Sequence, residues 1–467
     1  MRPPDDRTRW LALYVLCTGM LMIVLDLTVV NVALPSIKAD LGFSFSSLAW
    51  VVNSYMVAFA GLLLLSGRLG DLLGRRKVFL AGLGVFTVAS VLCGAAQTQW
   101  MLVGARFLQG VGGALSSAVI LGMIITMFPG RGEQAKAMGV YGFVASGGGT
   151  VGLLAGGVIT QVISWHWIFF INVPIALVTA VLAVRLIPDD RGLGIGEGAD
   201  YLGAVLATAA LMLGVYTIVS AHSIVMGTAS ALLLIGFLVR EATAANPLMP
   251  LGIFRSRAFS GANLLQVPWV AGMFGMFFIG ALYMQEVLGY GALQIGLAFL
   301  PCTVVMGVLS LRYAEPLCNR FGPLRVLLVG LALTTLAFVL LSRVPVQGSY
   351  VRDLLPAMLL FGFGTGPSFP AFMTLAMADV GEDKAGLASG LVNTTAEAGA
   401  ALGLAVLATV AASHTHHLLG DHVAKAAALT DGYRLAFGIG AALALVSLGI
   451  AYGVFRGTRV EQFASMH

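Results

Sequence analysis

Residues 10–33 read WLALYVLCTGMLMIVLDLTVVNVA, an apolar run that contains one charged residue, Asp26. A run of about 20 apolar residues can cross the hydrocarbon core of a bilayer as a helix. Because no water there satisfies free backbone amide groups, such runs are expected to be helices rather than open strands. The run is too long for a cleaved signal sequence, and no small-residue cleavage site follows it. We therefore expect it to remain as a membrane helix.

Runs of this kind recur along the whole chain. The 467 residues are 58% hydrophobic and only 10% charged, with 59 glycines and a mean hydropathy of +0.94. Soluble proteins are about 25% charged, so these values exclude a secreted disulfide scaffold, a disordered chain, a nucleic-acid module and most soluble enzymes. Charged and turn-rich breaks divide the chain into fourteen predicted spans, at about 10–33, 48–67, 78–96, 101–123, 138–160, 165–187, 201–220, 223–239, 259–288, 291–311, 323–342, 352–377, 386–411 and 433–455.

The distribution of Lys and Arg predicts the orientation of these spans. Of the 26 cations, 20 lie in the termini and alternate loops, five lie in the opposite loops, and Arg106 lies inside a span. Cytoplasmic loops carry the excess of Lys and Arg, so both termini are predicted to be cytoplasmic, in agreement with an even helix count. The net charge of +5 then reflects anchoring at the inner face of the membrane, and no nucleic-acid partner is implied.

The sequence also contains an internal repeat. Residues 66–78 have a counterpart at 319–326, and the glycines of 110–113 have counterparts at 362–366. Six helices need only about 200 residues, so an offset near 250 leaves room for two extra helices between two parallel halves. The predicted fold is an all-α polytopic membrane protein with 14 transmembrane helices in a 6+2+6 arrangement, a layout known among secondary transporters. The predicted parts are a six-helix bundle over 1–190, two inserted helices over 191–245, and a second six-helix bundle over 246–467.

Two charged residues of the first half fall within apolar spans. An ionisable group at the bilayer centre costs at least about 2.5–3.5 kcal/mol on insertion scales, so it is often functional. Asp26 is therefore a candidate proton or cation site, and the alternative is a hydrogen-bonded contact between helices. Arg106 is the second candidate, and the alternative is a side chain that extends to the membrane edge.

The fifth span contains the glycine-rich stretch SGGGTVGLLAGG at 146–157. Small residues four apart let two helix backbones approach closely. We expect a tight helix contact that can rock or flex between two states. No nucleotide-binding loop is implied, because no strand precedes the stretch and the G-x-x-x-x-G-K-[ST] pattern is missing from it. The residues of this packing motif are Gly148, Gly152, Gly156 and Gly157.

Residues 67–77 read GRLGDLLGRRK and follow the second span. One interpretation is simple anchoring by positive charge at the inner face. An acidic residue among arginines suggests a further role, a charge latch that one conformation makes and the other breaks. The residues of this motif are Gly67, Arg68, Gly70, Asp71, Gly74, Arg75 and Arg76.

Taken together, these motifs resemble those of the 14-spanner drug:proton antiporters of the major facilitator superfamily, along essentially the whole chain. LDLTVVNVALP at 25–35 is similar to the signature of the first helix, and 67–77 is similar to the inner-loop motif of the superfamily. Arg106, with Gln109 and Gly110, matches the fourth-helix motif, whose arginine is linked to proton coupling in the family. SWHWIFFINVP at 164–174 and YMQEVLG at 283–289 also fit.

Three positions depart from the family pattern. The antiporter motif usually has Gly-Pro where this chain has Gly152-Leu153, which leaves uniport possible. The family commonly has Arg where His166 stands. In the thirteenth span the family often reads Asn-Thr-x-Arg-Gln, whereas this chain has Asn393 to Glu397 in the sequence NTTAE and so gains a carboxylate near the midplane.

The resemblance implies a proton-coupled exporter of small amphipathic molecules, such as drugs or antibiotics, that works in the plasma membrane by alternating access. Asp26 and Glu397 would carry protons, and Arg106 would bias their charge. Two alternatives stay open, an exporter of an endogenous lipid, siderophore or secondary metabolite, and a non-transporting membrane sensor. We expect no enzymatic activity, no cofactor and a monomer whose partners are substrate, protons and lipid. Candidate walls of the substrate cavity are Asn31, Asn53, Tyr55, Gln109, Gln266 and Asn393.

The remaining polar signals are weaker. Glu286 is predicted to be an interfacial residue at the outer end of the ninth span. Four histidines fall in a predicted outer loop before the last span, where no spacing forces a metal site, so no metal is predicted. The cysteines show no pairing pattern and are predicted to be core residues. These residues are His414, His416, His417, His422, Cys17, Cys93, Cys302 and Cys318.

Overall fold

The computed structural model is all-helical over the residues it describes, which are 6–128, 131–190, 192, 194, 200–220, 224–244, 247, 251–378 and 385–456. The first half of the chain forms seven helices, two of which, α6 and α7, together occupy one predicted span. The helices are α1 (Asp6–Leu41), α2 (Phe45–Leu73), α3 (Arg75–Gly94), α4 (Gln99–Met127), α5 (Arg131–Val162), α6 (Trp167–Phe170) and α7 (Asn172–Leu186).

Two helices then precede the second half. A 3₁₀ turn (Leu251–Arg255) leads into α10, and π-helical segments (Leu309–Tyr313 and Tyr350–Leu354) lie between α11 and α12 and before α14. The helices are α8 (Tyr201–Ser220), α9 (Ile224–Thr243), α10 (Arg257–Glu286), α11 (Ala292–Val308), α12 (Ala314–Phe321), α13 (Pro323–Leu341), α14 (Leu355–Ala376), α15 (Ala385–Gly420) and α16 (Lys425–Phe455).

Local sequence explains where several of these helices begin. Ser44, Thr98 and Ser256 precede α2, α4 and α10, and each side chain accepts a hydrogen bond from a backbone amide in the first turn. Such caps satisfy amides that have no partner within the helix. Gly74 (φ 102°) and Gly322 (φ 83°) link α2 to α3 and α12 to α13. This positive-φ backbone favours glycine, and the two glycines occupy corresponding places in the two halves.

The described residues contain twelve helices that are long and apolar enough to cross a membrane. The two parts of α2, Ser47–Leu63 and Leu65–Leu73, meet at 49° and together make a thirteenth span. The described apolar stretch of α5 is shorter, Val151–Val162. An all-helical polytopic protein is thus confirmed, whereas the count of fourteen stays a prediction.

Several helices extend beyond the predicted apolar spans, because hydropathy marks only the apolar part of a helix and polar ends continue as helix beyond it. The last helix begins at Lys425, whereas its predicted span begins at residue 433. The helix before it continues to Gly420, beyond the predicted end at residue 411, and the first helix continues to Leu41 through Pro35.

The helices pack in the same way in the two halves. In the first half, α3 packs along α4, and a Cβ atom on Gly82 would lie 2.8 Å from the carbonyl oxygen of Gly112 and would also meet Ser116. In the second half, α13 packs along α14, and a Cβ atom on Gly330 would meet Gly364 and Ser368. The same close approach therefore occurs twice, about 250 residues apart.

The halves meet along two seams, α2 with α15 and α5 with α11. Helix α8 packs against α2, α15 and α9, so it contacts both halves. Most of the apolar surface of α9 is exposed, as expected for a helix that faces lipid. Residues 191, 245 and 246, at the predicted boundaries of the three parts, lie outside the described residues, and the division at 190 and 245 stays a prediction.

Candidate functional site

Asp26 of α1 and Arg106 of α4 form an ion pair inside the bundle. Nη1 of Arg106 lies 2.5 Å from Oδ2 of Asp26, and the side chains are 0% and 1% exposed. Nε of Arg106 donates to the carbonyl oxygen of Val51 on α2 at 2.9 Å, and Nη1 also donates to Oε1 of Gln109 at 2.7 Å. Arg106 is therefore held in the interior and does not extend to the membrane edge.

The second oxygen of Asp26 is also hydrogen-bonded. Its Oδ1 accepts from Nε2 of Gln109 at 2.8 Å and from Nδ2 of Asn172 on α7 at 3.0 Å. Nε2 of Gln109 further donates to Oγ of Ser90 on α3 at 2.9 Å. This buried network joins α1, α2, α3, α4 and α7. The hydrogen-bonded helix contact that was the alternative for Asp26 is thus present, and proton binding at Asp26 stays a prediction.

Tyr55 of α2 lies beside this ion pair. The centroid of its ring is 4.5 Å from Cζ of Arg106. A desolvated cation over an aromatic ring is stabilised by about 2 kcal/mol or more. The hydroxyl of Tyr55 is buried and has no hydrogen-bond partner in the described structure. Tyr55 therefore contacts the ion pair through its ring and carries a buried hydroxyl beside it.

Glu397, the carboxylate of the second half, lies within α15 and is partly exposed. Its Oε2 is buried and has no hydrogen-bond partner in the described structure. A buried polar atom without a partner is costly, and an intramembrane carboxylate in that state is a candidate for binding a proton or a cation. The side chain that Arg106 contacts is Asp26, and no direct contact between Arg106 and Glu397 is described.

The predicted cavity-wall residues fall in different surroundings. Gln109 belongs to the Asp26 network, and Nδ2 of Asn31 donates to the carbonyl oxygen of Leu27 on its own helix at 3.1 Å. Asn53 is fully buried, and neither amide atom of its side chain has a hydrogen-bond partner in the described structure. Gln266 is buried, whereas Asn393 is partly exposed. A shared cavity wall stays a prediction for these residues.

Two members of the network were missed by the sequence analysis. Ser90 and Asn172 are buried, uncharged polar residues on apolar helices. Asn172 lies within the matched stretch 164–174, so its position was marked although no role was assigned to it. Ser90 gave no comparable signal, because serine is common in membrane helices.

The 67–77 motif contacts Gly122 of α4 and Asp190, which follows α7. Asp71 is 44% exposed, and its Oδ1 lies 3.1 Å from Nη2 of Arg75. Nη1 of Arg75 donates to the carbonyl oxygen of Gly122 on α4 at 2.9 Å. Asp190, which sequence analysis missed, accepts from the backbone amides of Arg75 and Arg76 at 2.8 and 3.2 Å and caps α3. These contacts lie within the first half, so a latch between the halves stays a prediction.

The glycines of α5 lie at two helix contacts. Cβ atoms on Gly148, Gly152 and Gly156 would meet residues of α1, and the one on Gly156 would lie 3.0 Å from the backbone of Val29. A Cβ atom on Gly157 would lie 2.9 Å from the carbonyl oxygen of Ala292 on α11. Helix α5 therefore contacts its own half on one face and the second half on another.

Three of the four histidines lie in a helix instead of the predicted loop, whereas His422 lies in the loop before the last helix, as predicted. Three belong to α15, and His422 occupies the turn after it with φ 61°. His417 pairs with Asp421 at 3.3 Å. Within the described ranges, no group of three or more His, Cys, Asp or Glu is placed to hold a metal ion. All four cysteines are free, and three of them are buried. The three histidines of α15 are His414, His416 and His417.

Comparison with known proteins identifies relatives along most of the chain. The model of the Major Facilitator Superfamily matches residues 16–404. The chain is 40% identical to the puromycin resistance protein pur8 of Streptomyces alboniger, over 92% of this chain and 87% of that protein. It is 39% identical to the cephamycin export protein CmcT of Amycolatopsis lactamdurans, over 89% and 87% of the two chains. The crystal structure of the POT family transporter PepTSo superposes with a TM-score of 0.71 at 14% identity, over 98% of this chain and 100% of that one, which shows a shared fold.

Proposed function

The chain belongs to the major facilitator superfamily, and on that premise we propose that it exports small amphipathic molecules, antibiotics or related compounds, from the cytoplasm in exchange for protons. The resemblance stated from the sequence motifs is confirmed by the family match and by the relatives. Because it is a multi-span membrane transporter, we place it in the cell membrane.

The names of the relatives support export and indicate antibiotics as a class of substrate. One relative is a puromycin resistance protein and another is a cephamycin export protein. For a membrane transporter, resistance to an antibiotic and release of an antibiotic are both explained by outward movement of an organic molecule across the membrane. Export of an endogenous secondary metabolite is therefore a variant of the same proposal, and a substrate panel distinguishes the two.

We extend the proposal to the architecture. Fourteen helices in a 6+2+6 arrangement, with halves over 1–190 and 246–467 and an insertion over 191–245, place α8 and α9 as the inserted pair. The support is the recurrence of the Gly82 contact at Gly330 and the position of α8 against both halves. The distribution of Lys and Arg supports cytoplasmic termini. We propose a monomer whose partners are substrate, protons and lipid.

The observation that carries the coupling proposal is the buried pair of Asp26 and Arg106. A proton that binds Asp26 removes its negative charge and leaves the guanidinium of Arg106 without its counter-ion. Removing one partner of a buried ion pair costs about 3–5 kcal/mol. A rearrangement of α1 against α4 that gives Arg106 new partners or new solvation relieves that cost. Proton occupancy of Asp26 thereby biases the arrangement of the helices.

The free energy of proton entry is sufficient to drive export of substrate against a concentration gradient. Each proton that enters gains about 2.3 kcal/mol per 100 mV of membrane potential and about 1.4 kcal/mol per unit of pH difference. A tenfold concentration ratio of substrate corresponds to about 1.4 kcal/mol. One proton per cycle therefore sustains at least a tenfold gradient of an uncharged substrate.

Glu397 is the second proposed proton site, because its buried oxygen has no hydrogen-bond partner in the described structure. Glu397→Gln is expected to shift the pH dependence of transport or to discriminate against cationic substrates. Leu153 stands where the family motif usually has proline, so proton exchange is measured directly and not inferred from that motif.

Asp71→Asn is expected to lower turnover and to spare substrate binding, because the proposed latch acts on the conformational step.

Export itself is tested in a host that lacks its own efflux pumps. The wild-type chain should raise resistance to members of an antibiotic panel and lower dye accumulation, whereas Asp26→Asn should do neither at equal membrane expression. Asp189→Asn is the matched control, because Asp189 is an exposed carboxylate outside the membrane helices. A wild-type protein that reaches the membrane but changes no member of a broad panel would favour the sensor alternative.

A further inference from the structure

Lys38 and Glu286 form an ion pair that joins the two halves of the molecule. Nζ of Lys38, near the end of α1, lies 2.5 Å from Oε1 of Glu286, the last residue of α10. The two side chains are 23% and 19% exposed. We propose that this pair seals the transport pathway at the end remote from the chain termini, and that every transport cycle must break it.

Other contacts close the same end of the molecule. Oε1 of Gln161, at the end of α5, accepts a hydrogen bond from the amide of Leu293, at the start of α11, at 3.1 Å. One turn deeper, a Cβ atom on Gly296 would lie 2.6 Å from the carbonyl oxygen of Leu153. The backbones of α5 and α11 are therefore in direct contact here. The ion pair of Lys38 and Glu286 provides a second connection between the halves, from α1 to α10.

Each partner is fixed within its own half. Nε1 of Trp165 donates to Oδ2 of Asp40 at 2.8 Å, and Nε2 of Gln99 donates to the carbonyl oxygen of Leu41 at 3.0 Å, so the end of α1 is tied to the first half. The hydroxyl of Tyr283 donates to the carbonyl oxygen of Pro345 at 2.6 Å, so the end of α10 is tied to the second half. Separation of the two halves at this end would therefore pull Lys38 away from Glu286 and break the ion pair.

The inference rests on the proposed function, because alternating access requires the halves to separate at this end when substrate leaves. An ion pair holds only while its charged atoms stay within about 4 Å. Separation wide enough for an organic molecule exceeds that distance. Under the proposed topology this end faces the outside of the cell, so the pair closes the exit while substrate enters from the cytoplasm.

Covalent linkage tests whether the pair must open. Lys38→Cys with Glu286→Cys, in reconstituted full-length protein, is treated with a short thiol-reactive cross-linker that a reductant cleaves. The linked protein should lose transport to the level of empty vesicles and regain it after reduction. Transport that continues in fully linked protein would overturn the inference.

A matched control links two helices of one half. Asp40→Cys with Trp165→Cys joins positions whose native contact lies within the first half, so its linkage should leave transport of that variant unchanged. Loss of transport in this control would show that cross-linking inhibits the protein even when it does not join the two halves. That result would overturn the conclusion drawn from linking positions 38 and 286. The wild-type chain is treated in the same way to account for its own four cysteines.

Charge reversal provides a test without cross-linking. Lys38→Glu or Glu286→Lys alone places two like charges at the contact between α1 and α10 and should lower transport. The double exchange restores a pair of opposite charges and should recover transport. Failure of recovery in a well-expressed double variant would contradict the pairing. A wild-type protein that transports nothing in the same vesicles would instead defeat the proposed function, and the two failures are therefore distinguishable.

Discussion

Asp26 and Arg106 are tolerated in the interior because each neutralises the other and nearly every polar atom of the pair has a partner. Asp26 accepts three hydrogen bonds, and Arg106 donates to three acceptors and lies over the ring of Tyr55. Breaking a buried pair is far more costly than exchanging both partners for neutral groups. The pair therefore acts as a unit, and its members are best tested together.

We predict that Asp26→Asn and Arg106→Gln each destabilise the protein by about 3–5 kcal/mol and that the double variant is less destabilised than the sum of the two. Thermal unfolding in detergent measures this. Asp71→Asn is the comparison, because exposed pairs contribute only about 0–1 kcal/mol and Asp71 is 44% exposed. Additive losses in the double variant would show that the two charges do not depend on each other.

At the scale of residues, the sequence identified the charges and Gln109, but it gave no role to two other uncharged partners, Ser90 and Asn172. Asp26, Arg106 and Glu397 were found because charged residues are rare in apolar helices. Ser90 and Asn172 were missed because small and amide residues serve in many helix contacts. The pairing of Lys38 with Glu286 joins residues 248 positions apart, and only the packing of α1 against α10 brings them together.

At the scale of elements, α5 is the helix that contacts α1 on one face and α11 on another. Gly156 allows the backbone of α5 to approach Val29, and Gly157 allows it to approach Ala292. The spacing of small residues predicted a close helix contact but not which helices would meet. Helix bounds were predicted well where apolar runs end at charges, and poorly for α15 and α16, whose polar ends remain helical.

We predict that Gly156→Ala lowers both stability and transport, because the added methyl group would lie 3.0 Å from backbone atoms of Val29. Overpacking of this kind typically costs about 1–3 kcal/mol. Gly149→Ala is the matched control on the same helix, since its methyl group would lie 3.7 Å from the side chain of Thr28, an ordinary contact. Unfolding temperature and transport rate are compared for both variants. Equal behaviour of the two would show that the approach of α5 to α1 is not tightly packed.

At the scale of the whole molecule, two similar halves meet along two seams, and in the proposed transport cycle they rock against each other there. The repeat in the sequence predicted this symmetry, and the structure repeats it in the contacts of Gly82 and Gly330. The sequence could not predict that α8 packs against α2 and α15, because an apolar helix without charged positions gives no indication of its neighbours.

Topology is predicted at the same scale. A reporter fused after His467 should be active on the cytoplasmic side, and one inserted near Gly420, at the end of α15, should be active on the opposite side. The distribution of Lys and Arg and the predicted even number of helices both favour this result. Reporters that are active on the same side would contradict the fourteen-helix arrangement.

Proton movement in proteoliposomes, with a substrate gradient and no imposed pH gradient, tests the central claim most directly. The wild-type protein should move protons in the direction opposite to the substrate. Asp26→Asn should abolish that proton movement and uphill export, yet still allow downhill exchange of preloaded substrate. Substrate movement by the wild-type protein without any proton movement would contradict the account and would leave Asp26 and Glu397 with structural or substrate-binding roles alone.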